Sequence, residues 1–226
     1  MKTKVLITGA TGFIGSHLCE IAIKKGFKVV AFDRYNSNND LGCLKNSKYL
    51  KDMEIILGDI RDYDSVYKSM KNCKIVFHLA ALIGIPYSYF SPLAYVKTNV
   101  EGTYNVLESA KNLNLKNIII TSTSEVYGSA QYLPIDESHQ TNPVNYYGFT
   151  KLKIEELLNW YSKIHAIKFA SLRYFNAVGY DVKNRILIPE KNSQNLFPII
   201  MEVLSGGREI MNIYGDDYNT LDGTCI

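Results

Sequence analysis

Six short apolar runs, separated by longer stretches that mostly carry helical periodicity, constrain this chain more than any other feature. Lys4–Thr8, Lys28–Phe32, Glu54–Leu57, Ile75–Ala80, Asn117–Thr121 and Lys168–Leu172 read as strands. The first is an unbroken apolar run before glycines, the pattern of a strand covered on both faces. Phe13–Lys25, Asp62–Asn72, Pro92–Asn112 and Asn145–His165 read as helices; in the first, Ile14, Leu18, Ile21 and Ala22 share one face and Gly26 is the stop. Strands alternating with helices predict βαβ units with right-handed crossovers, hence an α/β fold with a doubly wound parallel sheet of Rossmann type. The polar stretch from Val182 to Ser193 marks where that sheet gives way. The expected division is therefore residues 1–175 for the sheet domain and 176–226 for a second, partial region.

Composition closes off several functions. A chain of 226 residues that is 46% hydrophobic can fill a core, and a net charge of +3 is too small and dispersed for a nucleic-acid footprint. The four cysteines show no CxxC pairing and no histidine at ligand spacing, so neither a metal site nor a disulfide framework is expected. No apolar run has the length of a membrane span, and MKTKVLITGA enters a strand directly, so the expected location is the cytoplasm.

After the first strand comes GATGFIG, a GxxGxxG spacing with Gly9, Gly12 and Gly15 around Phe13 and Ile14. Such glycines permit a tight turn and bring pyrophosphate close to backbone N–H groups at a helix N-terminus. Asp33, at the end of the second strand, can accept both adenosine-ribose hydroxyls and would repel a 2′-phosphate. NAD rather than NADP is the cofactor this predicts, with Arg34 as the one residue that points the other way. Asp59-Ile60 would lie near the adenine, and Leu79-Ala80-Ala81 places small residues where a cofactor must cross the sheet edge.

Tyr147 and Lys151 stand four residues apart on an expected helix, hence on one face. The lysine would lower the tyrosine pKa, making the phenol a base, and would also reach the cofactor ribose. Separately, each residue reads as an ordinary core aromatic or surface cation. Glu125, in TSTSEVYG, reads either as a proton-transfer group or as a polar strand-end residue bonded to the loop.

These motifs together with GDIRD, FHLAA, TNVEGT, YGFTK and LRYFNAVG make the chain resemble the extended short-chain dehydrogenase/reductases that act on nucleotide sugars. The resemblance implies Thr123 as the hydroxyl that bonds the sugar 4-oxygen, Tyr147 as base, Lys151 as ribose partner, and Asn99 as a support of the active-site helix. It implies hydride transfer from sugar C4 to NAD. ALIGIPYSYF and TSTSEVYG resemble the 4,6-dehydratase branch (UDP-N-acetylglucosamine type), where Glu125 would remove the C5 proton. LRYFNAVGYD, SQNLFP and IYGDDYNTLDGTCI resemble the UDP-glucose 4-epimerase branch, where Asn176 and Asn195 would contact the UDP-sugar. The epimerase reading is favoured, because the later motifs build the substrate pocket. Relatives in this family continue past DGTCI, so an incomplete substrate lobe is expected, and an NAD-binding chain with little turnover is the reading from another class. A homodimer is implied through Pro92–Asn112 and Asn145–His165.

Overall fold

The computed structural model describes residues 2–179 and 196–224 of the chain. Its strands are β1 (Lys4–Thr8), β2 (Lys28–Arg34), β3 (Met53–Gly58), β4 (Ile75–His78), β5 (Asn117–Thr123) and β6 (Lys168–Tyr174). They form one six-stranded sheet in the order β3-β2-β1-β4-β5-β6, with every neighbouring pair parallel. The helices are α1 (Phe13–Lys24), α2 (Tyr63–Met70), α3 (Ile85–Phe90), α4 (Pro92–Tyr95), α5 (Gly102–Asn112), α6 (Tyr146–His165) and α7 (Leu196–Leu204). The doubly wound parallel sheet expected from the strand–helix alternation is the fold observed.

Side chains alternate across a strand, so neighbouring residues of the apolar runs feed different cores. Val5, Ile7, Val29 and Ala31 pack with Ala10, Cys19 and Ala22 on the α1 side. Leu6, Val30 and Phe32 join Met70, Leu107, Ile118, Ile120 and Leu158 on the other, beneath α2, α5 and α6. Each such aliphatic side chain, fully buried, contributes about 1.5–3 kcal/mol. In keeping with this, the β1 and β2 runs carry no polar residue between Val5 and Ile7 or between Val29 and Phe32.

Several boundaries differ from the sequence reading. β5 continues to Thr123 because Ser122 and Thr123 pair with Arg173 and Tyr174, which lengthens β6 as well. β4 stops at His78, since the amides of Leu79 and Ala80 turn inward to the Thr8 hydroxyl (3.1 and 3.2 Å). The single helix expected over Pro92–Asn112 is broken by a π-helical stretch, Val96–Glu101, between α4 and α5. The short helix α3 and the apolar α7 were not anticipated.

The chain divides into two compact units, Met1–Ile186 and Leu187–Ile226. In the second, α7 is followed by Arg208, which pairs with Glu202 (2.9 Å), and by a turn closed by the Tyr218 N–H on the Gly223 carbonyl (2.9 Å).

Candidate active site

Strand order reverses direction between β1 and β4, so the loops leaving these two strands diverge to opposite faces and open a crevice at the carboxyl edge of the sheet. The glycine loop lines it. Gly9 has φ +69°, and a Cβ there would lie 2.9 Å from the Ala80 nitrogen; a Cβ on Gly15 would lie 2.1 Å from the Gly9 carbonyl oxygen. Only glycine lets the loop nest against β4 and α1 start so close to β1. Gly12 is the N-cap of α1 without any side-chain cap, and the first intrahelical bond is Ser16 N–H to its carbonyl (3.0 Å). The amides of Phe13, Ile14 and Gly15 therefore have no helical partner and, with the helix dipole, suit a diphosphate. Phe13, Ile14 and His17 line a cavity of about 270 Å³ with Val178 and Gly179 from the segment after β6. A larger one, about 440 Å³, lies at the other edge of the sheet near Lys2, Lys28 and Tyr49, and none of the candidate site residues lines it.

At the next strand ends, Asp33 is held in place by its neighbours. Its Oδ2 accepts from the Thr11 N–H (2.6 Å) and hydroxyl (2.8 Å), and its Oδ1 from the Arg34 N–H (2.7 Å). Asp59 receives the backbone N–H of Arg61 and its guanidinium, at 2.5 Å for Nη2, and Arg61 holds its carboxyl below the usual range. The Ile60 side chain is buried in the core, and the Ile60 carbonyl accepts from Asn105 (3.0 Å). Leu79, Ala80 and Ala81 leave β4 half-buried along the crevice.

Behind this loop a buried polar chain links three elements. The Thr8 hydroxyl oxygen already accepts the Leu79 and Ala80 amides, so its proton must go to His78 Nδ1 (2.7 Å). His78 Nε2–H then donates to Thr103 (2.9 Å), whose own hydroxyl donates to the Asn99 carbonyl (2.6 Å). The bonding fixes one neutral tautomer. Burial, assisted by the Lys151 charge, pushes the His78 pKa down to about 3. Fully buried Asn99 bonds the Leu82 carbonyl (3.0 Å), the Leu82 N–H (2.8 Å) and the Thr150 hydroxyl (3.1 Å), which joins the β4 exit to α6. Its place in the π-helical stretch turns the side chain toward both partners.

Thr123, Tyr147 and Lys151 converge at the end of β5. All three are buried; the Thr123 hydroxyl accepts the Glu125 N–H (3.2 Å) and stands beside the Tyr147 phenol, where it favours the ionised form. Lys151 Nζ donates to the Thr121 carbonyl (2.8 Å) and lies 6.0 Å from the Tyr147 ring centroid. The expectation that Lys151 lowers the tyrosine pKa is corrected here. Burial pushes Tyr147 up to about 12; the neighbouring Thr123 hydroxyl opposes this, while Glu125 and Tyr95 add to it. Burial also brings Lys151 down to about 8, opposed by the charge of Glu155.

Glu125 Oε2 accepts the Asn145 side-chain amide, while Asn145 Oδ1 caps α6 by accepting the Gly148 N–H (2.8 Å). Tyr127 is buried, with the Arg173 guanidinium 4.8 Å over its ring. Asn176 is exposed just after β6, and Asn195 lies outside the described residues. Sequence reasoning passed over Thr11, His78, Asn145 and Glu155. Asn145 carried a signal, an asparagine before an apolar helical run. Glu155 had one too, four residues beyond Lys151: it accepts from Ser122 (2.5 Å) and pairs with Arg173 (2.6 Å), tying β5, β6 and α6 together. Among the described residues no group of three or more His, Cys, Asp or Glu side chains is placed to hold a metal. No helix there is long and apolar enough to cross a membrane.

Residues 6–226 match the family model described as GDP-mannose 4,6 dehydratase. The UDP-glucose 4-epimerase of Halalkalibacterium halodurans is 35% identical over 98% of this chain and 65% of its own length. That of Mus musculus is 35% identical over 99% of this chain and 68% of its own. The chain thus spans about two thirds of the curated relatives it matches, and a little less for the bacterial one. Among solved structures, UDP-glucose 4-epimerase from Brucella ovis in complex with NAD superposes with a TM-score of 0.85 at 32% identity, over 99% of this chain and 67% of that one. The Bifidobacterium longum enzyme in complex with NAD+ and UDP gives 0.87 at 31%, over 98% and 68%. By its glycine loop, its Thr-Tyr-Lys cluster and these likenesses, the chain belongs to the extended short-chain dehydrogenase/reductases, in the group of nucleotide-sugar epimerases and dehydratases.

Proposed function

We propose that this chain carries the NAD-binding and catalytic part of a nucleotide-sugar 4-epimerase of the UDP-glucose/UDP-galactose type. The observation that carries the reading is the Thr123–Tyr147 hydroxyl pair, backed by Lys151, at the same sheet edge as the glycine loop. NAD, when bound, would supply the hydride acceptor and donor for sugar C4, so that the sugar can pass through a 4-keto form. Thr123 orients the 4-hydroxyl, Tyr147 takes and returns its proton, and Lys151 supplies a nearby cation. Asp33 receives the adenosine ribose, with Asp59 and the Leu79–Ala81 turn along the cofactor; for UDP-sugar contact the family resemblance offers Asn176 and Asn195. The NAD bound in the Brucella ovis structure and the NAD+ and UDP bound in the Bifidobacterium longum structure support this assignment.

Glu125 favours the epimerase over the 4,6-dehydratase. Its carboxylate is engaged by the residue that caps α6, and its neighbour Ser124 is a poor acid. Residues 1–175 form the cofactor domain in this reading and 176–226 part of the substrate region. The exposed apolar residues Trp160 and Ile164 on α6 and Tyr104 on α5 support a homodimer through these helices. The free thiols of Cys19, Cys43 and Cys73 support a reducing, cytoplasmic setting.

Incubation with UDP-glucose and with UDP-N-acetylglucosamine, followed by mass analysis, tests the proposal. An epimer of unchanged mass is expected. Loss of water would instead assign the dehydratase, and NAD binding without UDP binding or turnover would leave a cofactor-binding chain.

A further inference from the structure

We infer that Thr11 is a specificity-determining residue: it holds Asp33 in the position from which the carboxylate selects NAD over NADP. The inference rests on the cofactor reading above. Its basis is a junction that the glycine pattern does not explain. Every polar group of Thr11 is used. Its N–H and its hydroxyl both donate to Asp33 Oδ2, at 2.6 and 2.8 Å, across the end of β2. Its carbonyl accepts the Cys43 N–H at 2.8 Å, anchoring the turn that follows the β2 exit. Gly42 passes so close to this carbonyl that a Cβ would lie 2.7 Å from it.

Asp33 therefore has one oxygen fixed by Thr11. The other, Oδ1, accepts only the Arg34 N–H at 2.7 Å among the described residues and keeps acceptor capacity for a ligand. Discrimination between the two dinucleotides depends on where that oxygen stands. A ribose 2′-hydroxyl donates to it, whereas a 2′-phosphate meets its negative charge. Both effects weaken if the carboxylate can turn. Among the described residues the threonine hydroxyl is the one side-chain group bonded to the Asp33 carboxylate; the backbone amide remains whatever residue stands at position 11. Arg34, exposed and next in the chain, is the cation available to a phosphate once the carboxylate is released.

The test is calorimetric titration of the whole chain with NAD and with NADP, for the parent protein, Thr11→Val and Thr11→Ser. The parent is expected to prefer NAD. Thr11→Val should lower the NAD/NADP affinity ratio by roughly tenfold, the size of one hydrogen bond to a charged acceptor. Thr11→Ser, which keeps the hydroxyl, should restore the ratio, and a structural role alone would not move it. In an Asp33→Asn background, Thr11→Val should change the ratio no further, because the residue acts through the carboxylate. If Thr11→Val does not fold, Thr11→Ala removes the same hydroxyl and takes its place. A parent that prefers NAD with an unchanged ratio in Thr11→Val overturns the inference alone. A parent that binds neither dinucleotide, or both equally, overturns the cofactor reading and the inference with it.

Discussion

At Tyr147, burial outweighs every charge in reach. The four-residue step to Lys151 was legible because α-helical spacing is local, but the sign of the effect was not. It depends on Lys151 Nζ being drawn to the Thr121 carbonyl and on how much water the phenol loses. With its pKa pushed up to about 12 even with Lys151 close by, the group is a neutral phenol at pH 7, and the proposed base role calls for a further positive charge beside it. The nicotinamide ring of NAD+ has that charge. The tyrosinate absorbance of the parent minus that of Tyr147→Phe should therefore titrate near 12 and move downward when NAD is added. Tyr147→Phe should also reduce turnover by about 10²–10⁴ while NAD affinity changes little. Unchanged turnover would remove the proton-transfer role. Thr11 and Asp33 illustrate the opposite case. Each residue was visible, but their contact spans two strands and no spacing rule announces it.

α6 shows how one element joins stability to chemistry. Its N-cap, Asn145, makes two bonds in opposite directions: Oδ1 accepts the Gly148 N–H and Nδ2 donates to Glu125. Because Tyr147 lies in the first turn, the cap also sets where the phenol stands. Asn145→Ala should lower stability by about 1 kcal/mol in urea unfolding. Asn145→Ser, which can cap but cannot reach Glu125 with an amide, should recover most of that stability and not the activity. Equal activity in the serine variant and the parent would show that the Glu125 bond is dispensable. The helix from Pro92 teaches a related point about legibility. Its apolar periodicity announced a helix, but the π-helical stretch at Val96–Glu101 did not show, because it is set by the partners Asn99 finds on the β4 exit and α6.

In the molecule as a whole, α5 and α6 pack together on one face of the sheet, with Tyr104 edge-on to Tyr161 at 6.2 Å. Outside that contact α6 presents Trp160 and Ile164 to solvent at 60% and 65% exposure. Large apolar side chains this open on α6, beside the 45% exposed Tyr104 on α5, suit the proposed helical dimer interface. Light scattering should give twice the chain mass for the parent, and Trp160→Glu should shift it toward one chain by placing a charge in the buried contact. A monomeric parent would remove the dimer from the proposal.

The sequence by itself determined the parallel sheet, its glycine loop and the Tyr147–Lys151 pair, since each rests on local periodicity or a fixed turn. Tertiary structure alone decided what those groups are worth. It placed Asp33 in the grip of Thr11, Glu125 on the cap of α6, and His78 in a single neutral tautomer between Thr8 and Thr103. It also reversed the expected shift at Tyr147. The physical reason is the same in each case. Spacing fixes which side chains share a face, while desolvation and the choice among competing hydrogen-bond partners exist only once distant strands and helices have closed around them.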